Sequence, residues 1–89
     1  MDAVLNRKLL YILHRGWVEV RLLAQKNSIT RIFDLADALE PITGYINNWK
    51  DEDLDAIRFN LTNYQEKYEK ANCFDYVAVL DAEDPPQRF

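Results

Sequence analysis

The sequence predicts an all-α protein, a small bundle of three main helices with a short helical segment and a C-terminal arm. The chain has only two glycines and three prolines among 89 residues, too few for the many turns of a β-sandwich or barrel. Hydrophobic residues make up 48% of it, which is more than a disordered chain carries. Apolar residues also recur at intervals of three and four, the spacing of amphipathic helices.

The first helix is predicted over about residues 3–26, with Asp2 as its cap. Gly16 could instead end a shorter helix, followed by a strand over residues 17–22. An apolar stripe continues in phase on both sides of this glycine, which favours one helix. A glycine inside a helix costs about 1 kcal/mol relative to alanine, and a close approach by another chain segment can offset that cost. The stripe comprises Leu5, Leu9, Ile12, Leu13, Gly16, Val20, Leu23 and Ala24.

A second helix is predicted to follow the break and cap at Asn27-Ser28 and to end at Glu40, because Pro41 disfavours helix at the residue before it. Residues 41–49 predict a short helical or 3₁₀ segment. The apolar residues with helical spacing are Ile29, Ile32, Phe33, Ala36 and Leu39 in the second helix, and Ile42, Tyr45, Ile46 and Trp49 in the segment.

The third helix is the most regular, beginning at the acidic residues 51–53 and ending near Asn72. Residues 74–80 have the composition of a strand but no partner strand, so a short helix or an extended arm over the bundle is predicted. The whole is a single helical domain of residues 1–81 with a tail of residues 82–89. The apolar residues of the third helix are Leu54, Ile57, Leu61, Tyr64, Tyr68 and Ala71.

The net charge of −4 is unevenly distributed. Residues 1–31 carry six basic and two acidic side chains, whereas residues 32–89 carry five basic and thirteen acidic ones. The basic first helix therefore either packs beside acidic helices or forms a docking face. Since the sequence has neither the pattern of a signal peptide nor a run of about 20 apolar residues, we expect a cytoplasmic protein with no membrane association.

Catalytic chemistry is not expected. His14 and Cys73 are the only residues of their types, so a thiolate zinc site cannot form within one chain. Cys73 is predicted to be a small buried hydrophobe. The acidic run at residues 51–55 matches the preference for acids at a helix N-terminus and lacks the glycine of a calcium loop. We therefore predict no enzyme activity, no metal, no cofactor and no evident small-molecule substrate.

A second apolar row on the first helix carries the main functional prediction. It lies nearly opposite the first stripe and is bordered by basic residues, so either residues 74–80 or another chain must cover it. Phe59 is a second candidate for an exposed apolar patch. We predict a protein–protein interaction module of the small adaptor, regulator or toxin-neutralising type, acting as a homodimer or with another protein. The row comprises Val4, Tyr11, Val18 and Leu22.

The alternative prediction is a nucleic-acid-binding regulator that uses Arg7, Arg15 and Arg21 of the first helix. The negative net charge disfavours this alternative, because a surface that follows the phosphate backbone is normally basic. Binding that weakens steeply with salt would identify it.

Overall fold

The computed structural model describes residues 3–44 and 48–84, which form four helices and a single 3₁₀ turn. These residues contain no strand, so the all-α prediction is confirmed. Helices α2 and α4 each pack against both α1 and α3. The four helices therefore form a ring in which α1 and α3 occupy opposite corners. The proposed cap Asp2 lies outside the described residues. The elements are α1 (Ala3–Gln25), α2 (Ile29–Gly44), α3 (Asp51–Lys67), the 3₁₀ turn (Lys70–Asn72) and α4 (Tyr76–Asp81).

The core is formed by side chains from all four helices. The predicted stripes of the first and third helices supply much of it, which confirms their phase. Leu35 and Ile42 of α2 and Tyr76 of α4 complete it. The largest fully buried side chains are Leu9, Ile12, Leu35, Ile42, Ile57, Leu61 and Tyr76.

Gly16 lies inside α1, so the prediction of one continuous helix is confirmed. It is buried where α2 crosses α1. A Cβ atom placed on Gly16 would lie 2.4 Å from Cδ1 of Leu39. The missing side chain is therefore what lets Leu39 approach the α1 backbone.

Helix α1 ends in a Schellman motif at the predicted break. Asn27 has a φ of 57°, the left-handed conformation that asparagine tolerates better than most residues. Its N–H donates to the carbonyl of Ala24 at 3.1 Å, and the N–H of Ser28 donates to that of Leu23 at 3.0 Å. The carbonyl of Ser28 accepts the first hydrogen bond of α2, from Ile32.

The predicted end of α2 at Glu40 is wrong, because α2 continues through Pro41 to Gly44. Proline removes one helical hydrogen bond and restricts the preceding residue, but the packing around the next turn compensates. Ile42 is fully buried, and its carbonyl accepts a hydrogen bond of 3.2 Å from Nε1 of the buried Trp49. Residues 45–47 of the predicted helical segment lie outside the described residues, and residues 48–50 are not helical.

The apolar residues that predict α2 also identify its core positions only in part. Ile29, Phe33 and Ala36 are exposed, and Ile32 is half-buried. The buried side of α2 consists of Leu35, Ala38, Leu39 and Ile42. The apolar residues of α2 form more than one stripe along the helix. Its contacts with α1 and α3 determine which stripe is buried.

Helix α3 begins at Asp51 as predicted, but its predicted end near Asn72 is wrong, because the helix ends at Lys67 and residues Lys70–Asn72 form a separate 3₁₀ turn. The chain turns at Glu69, whose φ of 65° cannot continue a helix. For residues 74–80 either a short helix or an extended arm is predicted, and the structure has the short helix, which spans Tyr76–Asp81.

Helix α4 is attached to the bundle by polar contacts at both of its ends. At the N-terminus, Gln65 of α3 donates from Nε2 to Asp75 at 3.1 Å and accepts at Oε1 from the N–H of Val77 at 3.1 Å. Asp75 also caps α4 by accepting a hydrogen bond of 3.0 Å from the N–H of Ala78. At the C-terminus the buried Lys8 donates from Nζ to the carbonyls of Leu80, at 3.4 Å, and Ala82. An ammonium group at this end is favoured by the helix dipole as well as by the hydrogen bonds.

Candidate functional site

The second apolar row of α1 is partly covered by the residues that precede α4. The ring of Phe74 lies 6.1 Å from that of Tyr11, measured between centroids. Tyr11 and Val18 are half-buried, whereas Val4 and Leu22 at the two ends of the row are exposed. The chain itself therefore covers the middle of the row, and a partner-binding role for these four residues stays a prediction.

Phe59 is exposed over 66% of its surface. It lies on the side of α3 opposite the buried Ile57 and Leu61, since successive helical residues are separated by about 100°. Because α3 is diagonal to α1 in the ring, the structure does not bring Phe59 together with the second apolar row. Its own binding role stays a prediction as well.

The basic residues of α1 divide into two groups. Arg7 and Arg21 are exposed. The guanidinium carbon of Arg15 lies 4.8 Å from the ring centroid of Phe74, in a cation–π contact, and Lys8 is buried beneath the end of α4. Two of these cations therefore attach the C-terminal segment, and Arg7, Arg15 and Arg21 do not form one uniform basic surface. Their role in nucleic-acid binding stays a prediction.

Three of the exposed large apolar side chains among the described residues lie on the side of the bundle formed by α1 and α2, away from α3 and α4. Trp17, Ile29 and Phe33 are 55%, 60% and 65% exposed. Half-buried side chains that pack against the core lie beneath and between them. Sequence periodicity did not predict this surface, because it assigns the apolar residues of α2 to a single stripe. We call it the α1/α2 apolar face, and it comprises Leu13, Trp17, Val20, Ile29, Ile32 and Phe33.

The close contact between Gly16 and Leu39 fixes how α1 and α2 are aligned. The helices run in opposite directions, so residues whose numbers add up to about 55 lie level with each other. Trp17 and Val20 are then level with the middle of α2, and Ile29 and Ile32 with the last turn of α1. Trp17 is then about 7 Å from Phe33 and about 13 Å from Ile29 along the helix axes, with half-buried residues between them.

The two long borders of this face carry opposite charges. Arg7 and Arg21 follow the apolar residues on the outer side of α1, and Asp37 follows them on the outer side of α2. Glu40 points between the directions of Ile29 and Phe33, two turns further along α2. All four side chains are exposed. Within the described part of the chain, the recorded ion pairs involve none of these four.

On the side of α1 that is opposite the α1/α2 apolar face, a polar network joins α1, α2, α3 and the C-terminal segment that includes α4. Arg31 donates from Nε to the hydroxyl of Tyr64 at 2.8 Å and from Nη2 to Glu19 at 3.2 Å and to the carbonyl of Asn72 at 3.2 Å. Tyr76 donates its hydroxyl hydrogen to the other carboxylate oxygen of Glu19. The network satisfies buried polar groups and has the character of a structural element.

Burial raises the pKa of both phenols in this network above the ordinary value of 10. It raises the pKa of Tyr64 to about 12, against the opposing effect of the hydrogen bond from Arg31. Burial, aided by the hydrogen bond to Glu19, raises the pKa of Tyr76 further. Both hydroxyls therefore act as hydrogen-bond donors or acceptors at neutral pH and not as bases.

Cys73 lies beside this network and is half-buried. Burial raises the pKa of its thiol, although the nearby Arg31 acts in the opposite direction. A thiol with a raised pKa is a weak nucleophile, because the thiolate is the reactive form. The adjoining groove of about 380 Å³ between α1 and residues 71–74 includes Leu22 and Phe74 in its lining, so part of the second apolar row borders it.

Among residues 3–44 and 48–84, no group of three or more His, Cys, Asp or Glu side chains is arranged to hold a metal ion. None of the helices in these two ranges has the length and hydrophobicity of a membrane span. No family model, curated protein or solved structure matches the chain.

Proposed function

We propose that this protein is a non-enzymatic protein–protein interaction module and that its partner binds to the α1/α2 apolar face. The observation that carries the proposal is the exposure of Trp17, Ile29 and Phe33 on the side of the bundle formed by α1 and α2. Contiguous exposed apolar area with charged borders is typical of protein-binding surfaces. Tryptophan and other aromatic residues are also enriched where interfaces bury most of their area.

The free energy available from burying this face favours a partner. Fully burying one large apolar side chain stabilises a complex by about 1.5–3 kcal/mol, and this face offers three such side chains that are more than half exposed. The second apolar row offers less exposed apolar area to a partner, because Tyr11 already contacts Phe74. Leu22 at its end remains available as a smaller, separate contact.

The test compares four immobilised forms of the protein as baits in a native lysate: the unaltered chain, Phe33→Ser, Phe59→Ser and Leu22→Ser. Phe33 and Phe59 are matched, being 65% and 66% exposed phenylalanines on different helices. We expect the same proteins to be retained by the unaltered chain and the Phe59→Ser bait and to be lost from the Phe33→Ser bait.

Retention that is unchanged by Phe33→Ser contradicts the proposal. Loss with Leu22→Ser alone would instead assign binding to the second apolar row, and loss with Phe59→Ser alone to the outer side of α3. Treating the lysate with nuclease separates the remaining possibility, because capture through nucleic acid disappears on treatment and weakens with salt.

A further inference from the structure

We infer that the partner on the α1/α2 apolar face is a second copy of this chain, related by a two-fold axis that runs parallel to α1 and α2. This inference rests on the proposed function, because it names the occupant of the same face. It follows from the charge pattern of the borders, from the register of the two helices and from the area of the face.

The charge pattern makes the face complementary to itself. Arg21 lies on the border of the α1 side and Asp37 on the border of the α2 side, and both are exposed. The ion pairs among the described residues involve neither of them. Opposite charges on the two edges of one surface can be paired by a second copy of that surface.

Symmetry leaves two simple arrangements for two identical faces, and charge distinguishes them. A two-fold axis parallel to the helices places α1 against α2 of the second copy, so that each basic border meets an acidic one. An axis perpendicular to the helices places α1 against α1 and α2 against α2, so that like charges meet. Juxtaposed like charges are unfavourable, and the parallel axis is therefore preferred in an isologous dimer.

The register within one chain carries over to such a dimer, because rotation about a parallel axis does not shift residues along it. Arg21 then lies within about one helical turn of Asp37 in the second copy. Phe33 of the second copy lies between the levels of Trp17 and Ala24. Charged pairs thus form at the edges while aromatic and aliphatic side chains meet in the middle, which is the usual organisation of an interface.

The area is adequate for a weak dimer. The 16 residues of α2 span about 24 Å at 1.5 Å per residue, and two adjacent helices are about 20 Å wide. The face thus measures roughly 500 Å² on each copy, or about 1,000 Å² for the pair, near the lower bound for a specific interface. We expect dissociation constants in the micromolar range.

The experiment is sedimentation equilibrium of the full chain between about 1 and 500 μM, with circular dichroism to show that each variant is helical. The unaltered chain is expected to dimerise. Phe33→Ser, or Ile29→Ser as a second variant of the face, should weaken association at least tenfold, and the matched control Phe59→Ser should leave it unchanged. A monomer throughout the range, or equal weakening by Phe33→Ser and Phe59→Ser, overturns the inference.

Charge exchange tests the axis. Arg21→Glu alone and Asp37→Lys alone should each be monomeric, because like charges then meet at both edges. An equimolar mixture of the two should form a heterodimer, since the introduced glutamate faces the introduced lysine at one edge while the original charges face each other at the other. If the mixture associates no better than its components, the parallel-axis arrangement is wrong.

The two proposals fail separately. A chain that is monomeric, yet whose capture of other proteins depends on Phe33, overturns the second-copy inference and leaves the interaction module intact. A chain that is monomeric and shows no such dependence overturns both.

Discussion

Gly16 shows how a single residue determines the spacing of two helices. It lies on the buried stripe of α1, where a larger residue would ordinarily stabilise both the helix and the core. Leu39 of α2 occupies the space that a side chain would fill. The unfavourable helix propensity of glycine is thus offset by closer packing between α1 and α2.

We expect Gly16→Ala to destabilise the protein by about 1 kcal/mol, since forcing extra volume into a packed core commonly costs about 1–3 kcal/mol and the gain in helix propensity offsets about 1 kcal/mol of that. Urea unfolding measures the effect. Gly44→Ala is the control: apart from its chain neighbours and its own helix backbone, no atom of the described residues lies within 4 Å of an added Cβ, so a change below about 0.5 kcal/mol is expected. Equal effects at both glycines would contradict the packing argument.

At the level of elements, α4 depends on the rest of the molecule. Six residues are too few for a helix that is stable by itself. Lys8 holds its C-terminus, while Tyr76 fills the core and reaches Glu19. The polar network around Arg31 is therefore part of what orders the C-terminal segment.

We expect Arg31→Gln to destabilise the protein by about 2 kcal/mol, because it leaves Glu19, whose side chain is 13% exposed, without its cation. Glu19→Gln removes the charge but keeps an acceptor for Tyr76. The double variant Arg31→Gln/Glu19→Gln should consequently lose less stability than the two single variants added together. Urea unfolding of all four forms measures this coupling, and strict additivity would show that the ion pair contributes nothing.

Helix α2 illustrates the difficulty of assigning an element from periodicity alone. Its apolar residues are numerous enough to form both a buried side and the α2 part of the α1/α2 apolar face. Any of several stripes satisfies the spacing rule, and Pro41 is a reasonable place to end the helix. Burial of Ile42 and the hydrogen bond from Trp49 decide otherwise.

For the whole molecule, a chain of 89 residues buries about 60–65% of the surface that its unfolded form exposes, less than a larger domain does, so contacts outside the core contribute appreciably to its stability. Two carboxylates, those of Asp34 and Asp75, make such contacts by accepting hydrogen bonds from elements distant in sequence. Hydrogen bonds from Lys67 and from Tyr68 lower the pKa of Asp34 and tie α2 to α3. The hydrogen bonds from the N–H of Ala78 and from Gln65 lower the pKa of Asp75.

The sign of the resulting pH dependence follows from these directions. A carboxylate whose pKa is lower in the folded chain stabilises it above the ordinary value of 3.8, and the contribution is lost as the pH falls through the folded pKa. We expect the free energy of unfolding to decrease between about pH 5 and pH 2.

The double variant Asp34→Asn/Asp75→Asn should be less stable than the unaltered chain at pH 7 and nearly equal to it at pH 2, as measured by urea unfolding at both pH values. A difference that stays constant between these two pH values would contradict the assignment.

Sequence alone determined the all-α class, the single helix through Gly16, the break at Asn27-Ser28 and the start of α3, because these depend on local spacing and on residues with strong conformational preferences. Tertiary contacts decided which side of α2 is buried, how far α2 extends and what covers Tyr11. Each of these depends on the free energy of packing between segments distant in sequence. The α1/α2 apolar face belongs to the second group, since only the ring of four helices leaves Trp17, Ile29 and Phe33 together on its outer surface.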